Sequence, residues 1–297
     1  MNQKADAAEG RGSVLATVED DVLHLIDLAL AEDRGPGDVT SRWVIPARTR
    51  VRAEIVAKAE GVIAGVTPAR AVFLRLDPRV DSRVIADDGT RVAPGDVVLT
   101  LRGPGRAILT GERVALNFLQ RLSGVASVTR CFVDAVAGTS ARILDTRKTT
   151  PGWRSLEKAA VRAGGGVNHR HGLYDAVLIK DNHIAIAGGI DEAIQRVREL
   201  NSKGLPVIVE ASTLVDVDAA LAAGADRILL DNMDAATMRE AVERARHQSD
   251  APALEASGNM TLDRIRAVAE TGVDFISVGS LTHSAPALDL SLRILRP

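Results

Sequence analysis

The chain has 297 residues, of which 46% are hydrophobic and 2% aromatic, and its formal net charge is −2. This composition excludes a disordered or fibrous protein and favours helices packed on a parallel sheet built from Ala, Val, Leu and Ile, in one large domain or two modest ones. The near-zero charge gives no reason to expect nucleic acid or a membrane surface as a partner.

The first third of the chain predicts a helix, a loop and a small α+β domain. Residues 1 to 16 are predicted to form a loose arm. Apolar residues at helical spacing over 18–31 predict an amphipathic helix. A loop follows, because Gly35-Pro36-Gly37 breaks periodic structure. Short apolar runs between turn signals then indicate strands at 51–57, 62–66, 83–86 and 97–101, with a helix at 68–76.

A long helical stretch at 111–137 links this region to the rest, with Gly124 as a candidate point of interruption. Six short apolar runs follow, at 142–145, 176–179, 207–209, 227–230, 253–254 and 275–278. Helical segments lie between most of them, at 190–200, 214–223, 235–246 and 262–270. A repeated strand and helix implies right-handed parallel crossovers. Gly224 and Gly272 follow two of the helices, where a left-handed cap is expected.

These patterns predict an α/β protein with a small N-terminal α+β domain and linking helix at residues 1–123. An incomplete six-stranded parallel α/β barrel is expected at 124–297, with a C-terminal segment able to pack back on the N-terminal domain. A doubly wound sheet is the alternative. In a parallel barrel the carboxyl ends of the strands share one rim, where ligands bind. The runs end in Arg147-Lys148, Lys180, Glu210, Asp231, Ser257-Gly258 and Gly279-Ser280, which predicts one site at that rim.

Positive charge is concentrated at residues 142–180, which hold eight Lys or Arg against three acids, and two histidines besides. Such a patch in an otherwise acidic chain indicates a small anionic ligand, whereas a solvated helix face is the alternative. Arginine forks bind carboxylate or phosphate through two parallel hydrogen bonds, and lysine adds charge. The residues expected to meet a polyanion are Arg147, Lys148, His169, Arg170 and Lys180.

Two acids and two turns complete the predicted site. Glu210 and Asp231 end consecutive strands, where carboxylates can hold ribose hydroxyls or a hydrated Mg²⁺. The alternatives are that one of them pairs with the basic residues, or that both serve a glycosidase, which the basic patch opposes. Ser257-Gly258 and Gly279-Ser280 precede helical segments, whose backbone N–H groups can bind a phosphate.

The single cysteine, Cys131, excludes an intramolecular disulfide framework and a cysteine-based metal site. Its apolar helical surroundings predict a buried thiol. The polar first 13 residues lack the apolar core of a signal peptide, and no stretch reaches the roughly 18 apolar residues of a membrane span. We therefore expect a cytoplasmic protein that is not inserted in a membrane.

Taken together, the motifs closely resemble the quinolinate phosphoribosyltransferase family over nearly the whole chain. The most specific are Gly111-Glu112-Arg113, Asp145-Thr146-Arg147-Lys148-Thr149, the run from Gly164 to Arg170, and Ile179-Lys180-Asp181-Asn182-His183. Leu229-Leu230-Asp231-Asn232-Met233 and Glu255-Ala256-Ser257-Gly258 support them.

The resemblance implies conversion of quinolinate and phosphoribosyl pyrophosphate into nicotinate mononucleotide, pyrophosphate and CO₂, in NAD biosynthesis. It also implies that the N-terminal α+β domain is a sandwich, that Mg²⁺ is the cofactor, and that the protein is a homodimer whose sites are shared between subunits. By that likeness, quinolinate is held by Arg147, His169, Arg170, Lys180 and the neighbouring subunit's Arg113. The phosphoribosyl group and the catalytic work fall to Lys148, Glu210 and Asp231, with the two acids also serving the metal indirectly.

By the same likeness, Ser257, Gly258 and Gly279 cradle the 5-phosphate. The sequence departs from the family at one position, because a second acid often stands two residues before Glu210, where this chain has Ile208. Two other interpretations stay open. A related protein linked to molybdate transport genes shares the barrel, but the full basic set opposes it. A non-catalytic relative would be expected to have lost Lys148, Glu210 or Asp231.

Overall fold

The computed structural model describes residues 14–248 and 250–295, which group into two compact units. The first unit contains the described residues up to Val128, the segment Ser155–Gly164 and the described residues from Ala285 onward. The second unit contains Thr129–Arg154 and Gly165–Ser284. The chain therefore enters the first unit three times and the second unit twice.

The first unit combines helices with an antiparallel sheet. Its helices are α1 (Asp20–Arg34), α2 (Val39–Val44), α3 (Val66–Leu76), most of the long α4 (Gly105–Ala135) and nearly all of α5 (Arg154–Ala163). Its strands are β1 (Arg50–Ala57), β2 (Gly61–Val62), β3 (Asp81–Val84), β4 (Arg91–Val92), β5 (Val97–Pro104) and β12 (Leu290–Leu295). Four strands form one sheet in the order β12-β1-β5-β3, and β2 pairs with β4.

Helix α3 begins at Val66, two residues earlier than predicted, because two features start it there. Gly65 has a φ of 91°, a left-handed conformation that glycine adopts without strain. The carboxylate of Asp88 accepts the backbone N–H of Val66 at 3.0 Å, which satisfies one of the donors left free at the start of a helix. The strand predicted at 62–66 therefore ends after Val62.

Helix α4 runs through Gly124 without interruption. A Cβ added at Gly124 would lie 2.0 Å from the carbonyl oxygen of Pro286. The side chain of Gln120, one turn earlier, donates to the carbonyl oxygen of Leu290 at 2.7 Å. The glycine is therefore explained by close packing of the C-terminal segment on this helix.

The second unit alternates strands and helices. Its strands are β6 (Arg142–Leu144), β7 (Val177–Ile179), β8 (Val207–Ala211), β9 (Arg227–Asp231), β10 (Ala253–Ser257) and β11 (Phe275–Ser277). Its helices are α6 (Asp181–Ala187), α7 (Ile190–Leu200), α8 (Leu214–Ala222), α9 (Ala235–Arg246), α10 (Ile265–Ala269) and α11 (Ser280–His283). All six strands are parallel, in the order β6-β11-β10-β9-β8-β7.

This strand order confirms the incomplete six-stranded barrel. Strands consecutive in the chain are neighbours from β7 to β11, and β6 pairs with β11, so β6 and β7 stand at the two ends of the order. A doubly wound sheet would reverse its strand order at a switch point in the middle, and this sheet does not.

An apolar layer lies one step below the rim of the barrel. Ile208 is 3% exposed and clusters with Ala176 and Leu229, and Leu178 packs against the group. Residues two apart in a strand share a face, so Glu210 lies on the same face as Ile208, one step nearer the carboxyl end. Ile208, where the family often has an acid, therefore belongs to the apolar layer.

Three predictions about particular residues have different outcomes. Gly224 and Gly272 have φ values of 70° and 92°, which confirms the left-handed caps. Cys131 is exposed, so the prediction of a buried thiol is wrong. The buried positions of α4 near it include Thr129 and Phe132, and Cys131 falls between them on the opposite face.

The predicted arm over residues 1–16 lies outside the described residues up to residue 13, and residues 14–16 are helical. Among the helices that the structure describes, none combines the length and the apolar character needed to cross a membrane.

Candidate active site

A cavity of about 470 Å³ lies at the carboxyl ends of the parallel strands in the second unit. Residues at the ends of all six strands, or just beyond them, line it. The predicted site residues found there are Arg147, Lys148, His169, Arg170, Lys180, Glu210, Asp231, Ser257, Gly258 and Gly279. Arg113 belongs to the first unit and is exposed on α4. The strand ends therefore bring together every predicted residue that the second unit contains.

Two arginines form the basic side of the cavity. The Nε atom of Arg147 is buried and has no hydrogen-bond partner within the described part of the chain. A guanidinium nitrogen of Arg170 donates to the carbonyl oxygen of Ala176 at 3.1 Å. Burial, and then the positive charge of Arg147, lower the pKa of Arg170. An anion bound between the two guanidinium groups would relieve this repulsion and satisfy the buried donor.

Lys180 and Glu210 form an ion pair across neighbouring strands, with Nζ of the lysine on Oε1 of the glutamate. Lys180 directly follows β7 and Glu210 lies near the end of β8. The alternative in which one predicted acid pairs with the basic residues therefore holds for Glu210 in this structure. The resemblance assigns Lys180 to quinolinate and Glu210 to the phosphoribosyl group. The ion pair therefore joins the parts of the site predicted for the two substrates.

Lys148 lies beside the last strand of the barrel. The hydroxyl of Thr282, on α11, donates to the backbone carbonyl of Lys148 at 2.8 Å. A Cβ at Gly279 would lie 3.2 Å from Cδ of Lys148 and 3.3 Å from Nε2 of His283. A residue without a side chain at 279 thus leaves room for the exposed Lys148 side chain to lie along the rim.

The turn after β10 packs against an asparagine for which we predicted no role from the sequence. Gly258 has a φ of 98°, and a Cβ there would lie 2.1 Å from Oδ1 of Asn232. The backbone N–H of Asn232 donates to the carbonyl of Ser257 at 3.0 Å, and its side-chain amide donates to Asp231 at 3.1 Å. Asn232 also has a φ of 54°, which is uncommon outside glycine. It therefore joins the carboxylate of Asp231 to the proposed phosphate turn.

Two buried carboxylates hold the segment that carries His169. Asp145, directly after β6, is fully buried and accepts the backbone N–H of His169 at 2.8 Å. Glu255, inside β10, is also fully buried and lies 3.3 Å from Nε2 of His169. The sequence did not predict a role for Glu255. A lone acid within the apolar strand Ala253–Ser257 was the signal that could have identified it.

The charge of Glu255 is stabilised although the residue is buried. Burial acts to raise the pKa of its carboxyl group, but the hydrogen bonds from His169 and Ser277 and the charge of Arg227 outweigh burial. The pKa of Glu255 is therefore lowered, and the group is a carboxylate at neutral pH.

Within the described residues, no three His, Cys, Asp or Glu side chains are grouped so as to hold a metal ion by themselves. Glu210 and Asp231 are the carboxylates that end strands β8 and β9 at the cavity. Mg²⁺ is often bound by one or two carboxylates, keeping several waters and taking the rest of its ligands from substrate phosphates. The donor set therefore fits a metal that is held partly by the substrate.

Comparison with known proteins identifies the family. Residues 38–123 match the family model "Quinolinate phosphoribosyl transferase, N-terminal domain", and residues 125–293 match its C-terminal counterpart. A probable nicotinate-nucleotide pyrophosphorylase (carboxylating) from Synechocystis is 47% identical, over 90% of this chain and 90% of the relative. The chloroplastic nicotinate-nucleotide pyrophosphorylase (carboxylating) of Arabidopsis thaliana is 44% identical, over 92% and 83%.

A solved structure agrees with these sequence matches. The nicotinate-nucleotide pyrophosphorylase from Francisella tularensis superposes with a TM-score of 0.90 at 41% identity, covering 94% of this chain and 98% of that one. The family models span both halves of the chain, and the relatives match most of its length. The chain therefore belongs to the quinolinate phosphoribosyltransferase family of pentosyltransferases.

Proposed function

We propose that the strand-end cavity is the active site of this quinolinate phosphoribosyltransferase. There quinolinate and phosphoribosyl pyrophosphate become nicotinate mononucleotide, pyrophosphate and CO₂, a step of NAD biosynthesis. The observation that carries the proposal is the buried Nε of Arg147, which has no partner among the described residues. A buried unpaired donor costs about 1–3 kcal/mol, and a carboxylate of quinolinate removes that cost.

The dicarboxylate binds among the basic side chains. Arg147 and Arg170 present planar forks suited to carboxylates, and Lys180 adds a point charge. His169 is held beside them, between Glu255 and the main chain of Arg170. The partner subunit's Arg113 completes the set, so the active unit is a homodimer with shared sites.

The phosphoribosyl group binds beside quinolinate on the same rim. Lys148 faces the pyrophosphate, and Glu210 and Asp231 receive the ribose hydroxyls. When a quinolinate carboxylate pairs with Lys180, the ion pair between Lys180 and Glu210 breaks, and Glu210 can bind the ribose hydroxyls. The backbone N–H groups around Ser257, Gly258 and Gly279 hold the 5-phosphate.

Glu210 and Asp231 would hold Mg²⁺ on this side of the cavity indirectly, through water. When bound, it neutralises negative charge on the leaving pyrophosphate. We infer no protein-only cage, because two carboxylates are too few to form one.

The reaction needs no covalent nucleophile from the protein. The bond between ribose C1 and the pyrophosphate oxygen breaks, both electrons leave with the pyrophosphate, and positive charge remains on the ribose. Lys148 offsets the charge developing on the leaving group. The pyridine nitrogen then bonds to C1, and the cationic ring accepts the electron pair released when the 2-carboxylate leaves as CO₂. A proton finally replaces that carboxylate at C2.

The surroundings of the enzyme follow from the same features. Its partners are the two small substrates and a second copy of the chain, with neither nucleic acid nor membrane. The single cysteine of the sequence offers no intramolecular disulfide, which favours a reducing compartment such as the cytoplasm as its place of action.

The experiment that tests the function is a product assay on the purified protein. The protein receives phosphoribosyl pyrophosphate and Mg²⁺, with quinolinate or nicotinate offered separately. We expect nicotinate mononucleotide and CO₂ from quinolinate, and no product from nicotinate. Turnover of nicotinate would show that the basic side chains do not select a dicarboxylate. Turnover of neither acid would overturn the assignment of the site.

A further inference from the structure

A buried carboxylate lies on the wall of the cavity, and its oxygens are surrounded by donors. Oε2 of Glu255 lies 3.0 Å from a guanidinium nitrogen of Arg227 and 3.3 Å from Nε2 of His169. Its other oxygen, Oε1, accepts the hydroxyl of Ser277. Three donors from three different places in the chain thus converge on one carboxylate.

The imidazole of His169 is held at both nitrogens. Nδ1 accepts the backbone N–H of Arg170 at 2.7 Å, so Nε2 carries the ring proton and faces Glu255. The side chain of His169 is 8% exposed, and its own backbone N–H is bound by Asp145. The ring therefore connects Glu255 to the main chain of Arg170, so the position of the carboxylate determines the position of that main chain.

A carboxylate so close to a dicarboxylate site would repel the substrate if its charge were not balanced. Arg227 balances it from the side of β9, where its guanidinium also stacks on the ring of Phe275 at 4.3 Å. The stacking fixes the guanidinium against the carboxylate. Glu255 can therefore orient His169 without presenting a free negative charge to quinolinate.

We infer that Glu255 is a positioning residue for quinolinate: with Arg227 and Ser277 it locks the ring of His169, and the ring sets the place of Arg170 in the cavity. The inference rests on the proposed function of the cavity. Fixed geometry of this kind matters because a displacement of about 1 Å in a binding group can cost about 100-fold in rate.

The test is the variant Glu255→Gln. A glutamine keeps the shape but offers one acceptor oxygen and a donating NH₂ group to the same donors. We expect the KM for quinolinate to rise about tenfold or more, while the KM for phosphoribosyl pyrophosphate changes less than about twofold. Glu243→Gln is the matched control, because it makes the same chemical change on an exposed face of α9.

A second measurement separates positioning from stability alone. The chain has 6 histidines, so selective ¹⁵N labelling of histidine gives a sparse spectrum in which His169 can be assigned by substitution. We expect wild-type His169 to show the Nε2–H tautomer, and Glu255→Leu to show a mixture of both tautomers. Wild-type turnover of quinolinate tests the proposed function separately. Normal quinolinate KM in folded Glu255→Gln, or an unchanged His169 spectrum in Glu255→Leu, would overturn the inference.

Discussion

At the scale of a single residue, the guanidinium of Arg147 is the strongest indication that the cavity binds an anion. Its buried Nε finds no partner among the described residues, and the neighbouring Arg170 carries the same charge. In the proposed function, a bound carboxylate would satisfy both this donor and this charge. A lysine at this position would supply the charge without the planar fork, so substitution by lysine separates the two contributions.

We expect Arg147→Lys to raise the KM for quinolinate about 10- to 100-fold, which corresponds to the loss of about 1.4 to 2.8 kcal/mol of binding. The KM for phosphoribosyl pyrophosphate should change little, because the fork serves the carboxylates. Steady-state kinetics with each substrate varied in turn measure the difference. Arg239→Lys on the exposed face of α9 is the control. An equal rise in both KM values would show that Arg147 does not distinguish the substrates.

The sequence located the residues at the strand ends but not those behind them. Arg147, Lys180 and Glu210 lie at or just beyond the ends of apolar runs, and parallel topology brings such positions together. Glu255 lies within its strand, so its role depends on which side chains reach it from other strands. Arg227 starts β9 and reaches Glu255 on the neighbouring strand β10, a contact that no spacing in the sequence encodes.

At the scale of one element, helix α4 shows a glycine that packing requires. Glycine inside a helix ordinarily costs about 1 kcal/mol relative to alanine. At Gly124 a Cβ would lie 2.0 Å from the carbonyl oxygen of Pro286, so an alanine must displace the backbone of the C-terminal segment. We expect Gly124→Ala to lower the free energy of unfolding by about 1–3 kcal/mol, in spite of the gain in helix propensity.

Denaturant unfolding of the variant and the wild type measures this difference. Gly111→Ala in the same helix is the matched control, because its added Cβ would meet only side-chain atoms, of Leu76 at 2.9 Å and Phe73 at 3.0 Å, and no backbone atom at so short a distance. We expect a smaller loss there. A stabilised Gly124→Ala protein would mean that the C-terminal segment does not pack tightly on the helix.

The start of helix α3 gives stability a dependence on pH. Burial raises the pKa of Asp88, although hydrogen bonds from the backbone of Val66 and Gly65 act to lower it. The unfolding free energy contributed by this group is therefore highest below the unfolded pKa of about 3.9 and falls as pH rises through the folded pKa. Asparagine keeps an acceptor for Val66 and does not ionise.

We therefore expect Asp88→Asn to gain stability relative to wild type as the pH increases from about 4 to about 7. Asp88→Ala, which removes the acceptor as well as the ionisable group, should be about 1 kcal/mol less stable than Asp88→Asn at either pH. Thermal unfolding at both pH values compares the three proteins. A gap between Asp88→Asn and wild type that does not change with pH would contradict the raised pKa.

Elements with strong local patterns were predicted well, and elements set by distant contacts were not. Helices α7 and α9 have the predicted bounds, because each carries a full helical period of apolar residues. Strand β12 was not predicted, since its pairing with β1 joins residues more than two hundred positions apart. Short edge strands depend on such partners more than on their own sequence.

At the scale of the whole molecule, the proposed site draws on both parts of the chain. Most of its residues belong to the second unit, whereas Arg113 is exposed on α4 in the first unit. In a homodimer with shared sites, each site takes Arg113 from one subunit and Lys148 from the other. Two inactive variants can then restore one intact site when they form a mixed dimer.

We expect Arg113→Ala and Lys148→Ala proteins to be nearly inactive alone and to recover about a quarter of wild-type activity when their subunits are mixed at random in equal amounts. Half of the dimers are then mixed, and each mixed dimer has one intact site and one site with both substitutions. Two affinity tags confirm subunit exchange, and the product assay measures the recovery. If exchange occurs without recovery, Arg113 does not serve a site that contains the partner subunit's Lys148, since a contribution within one subunit leaves every site of the mixed dimer with a substitution.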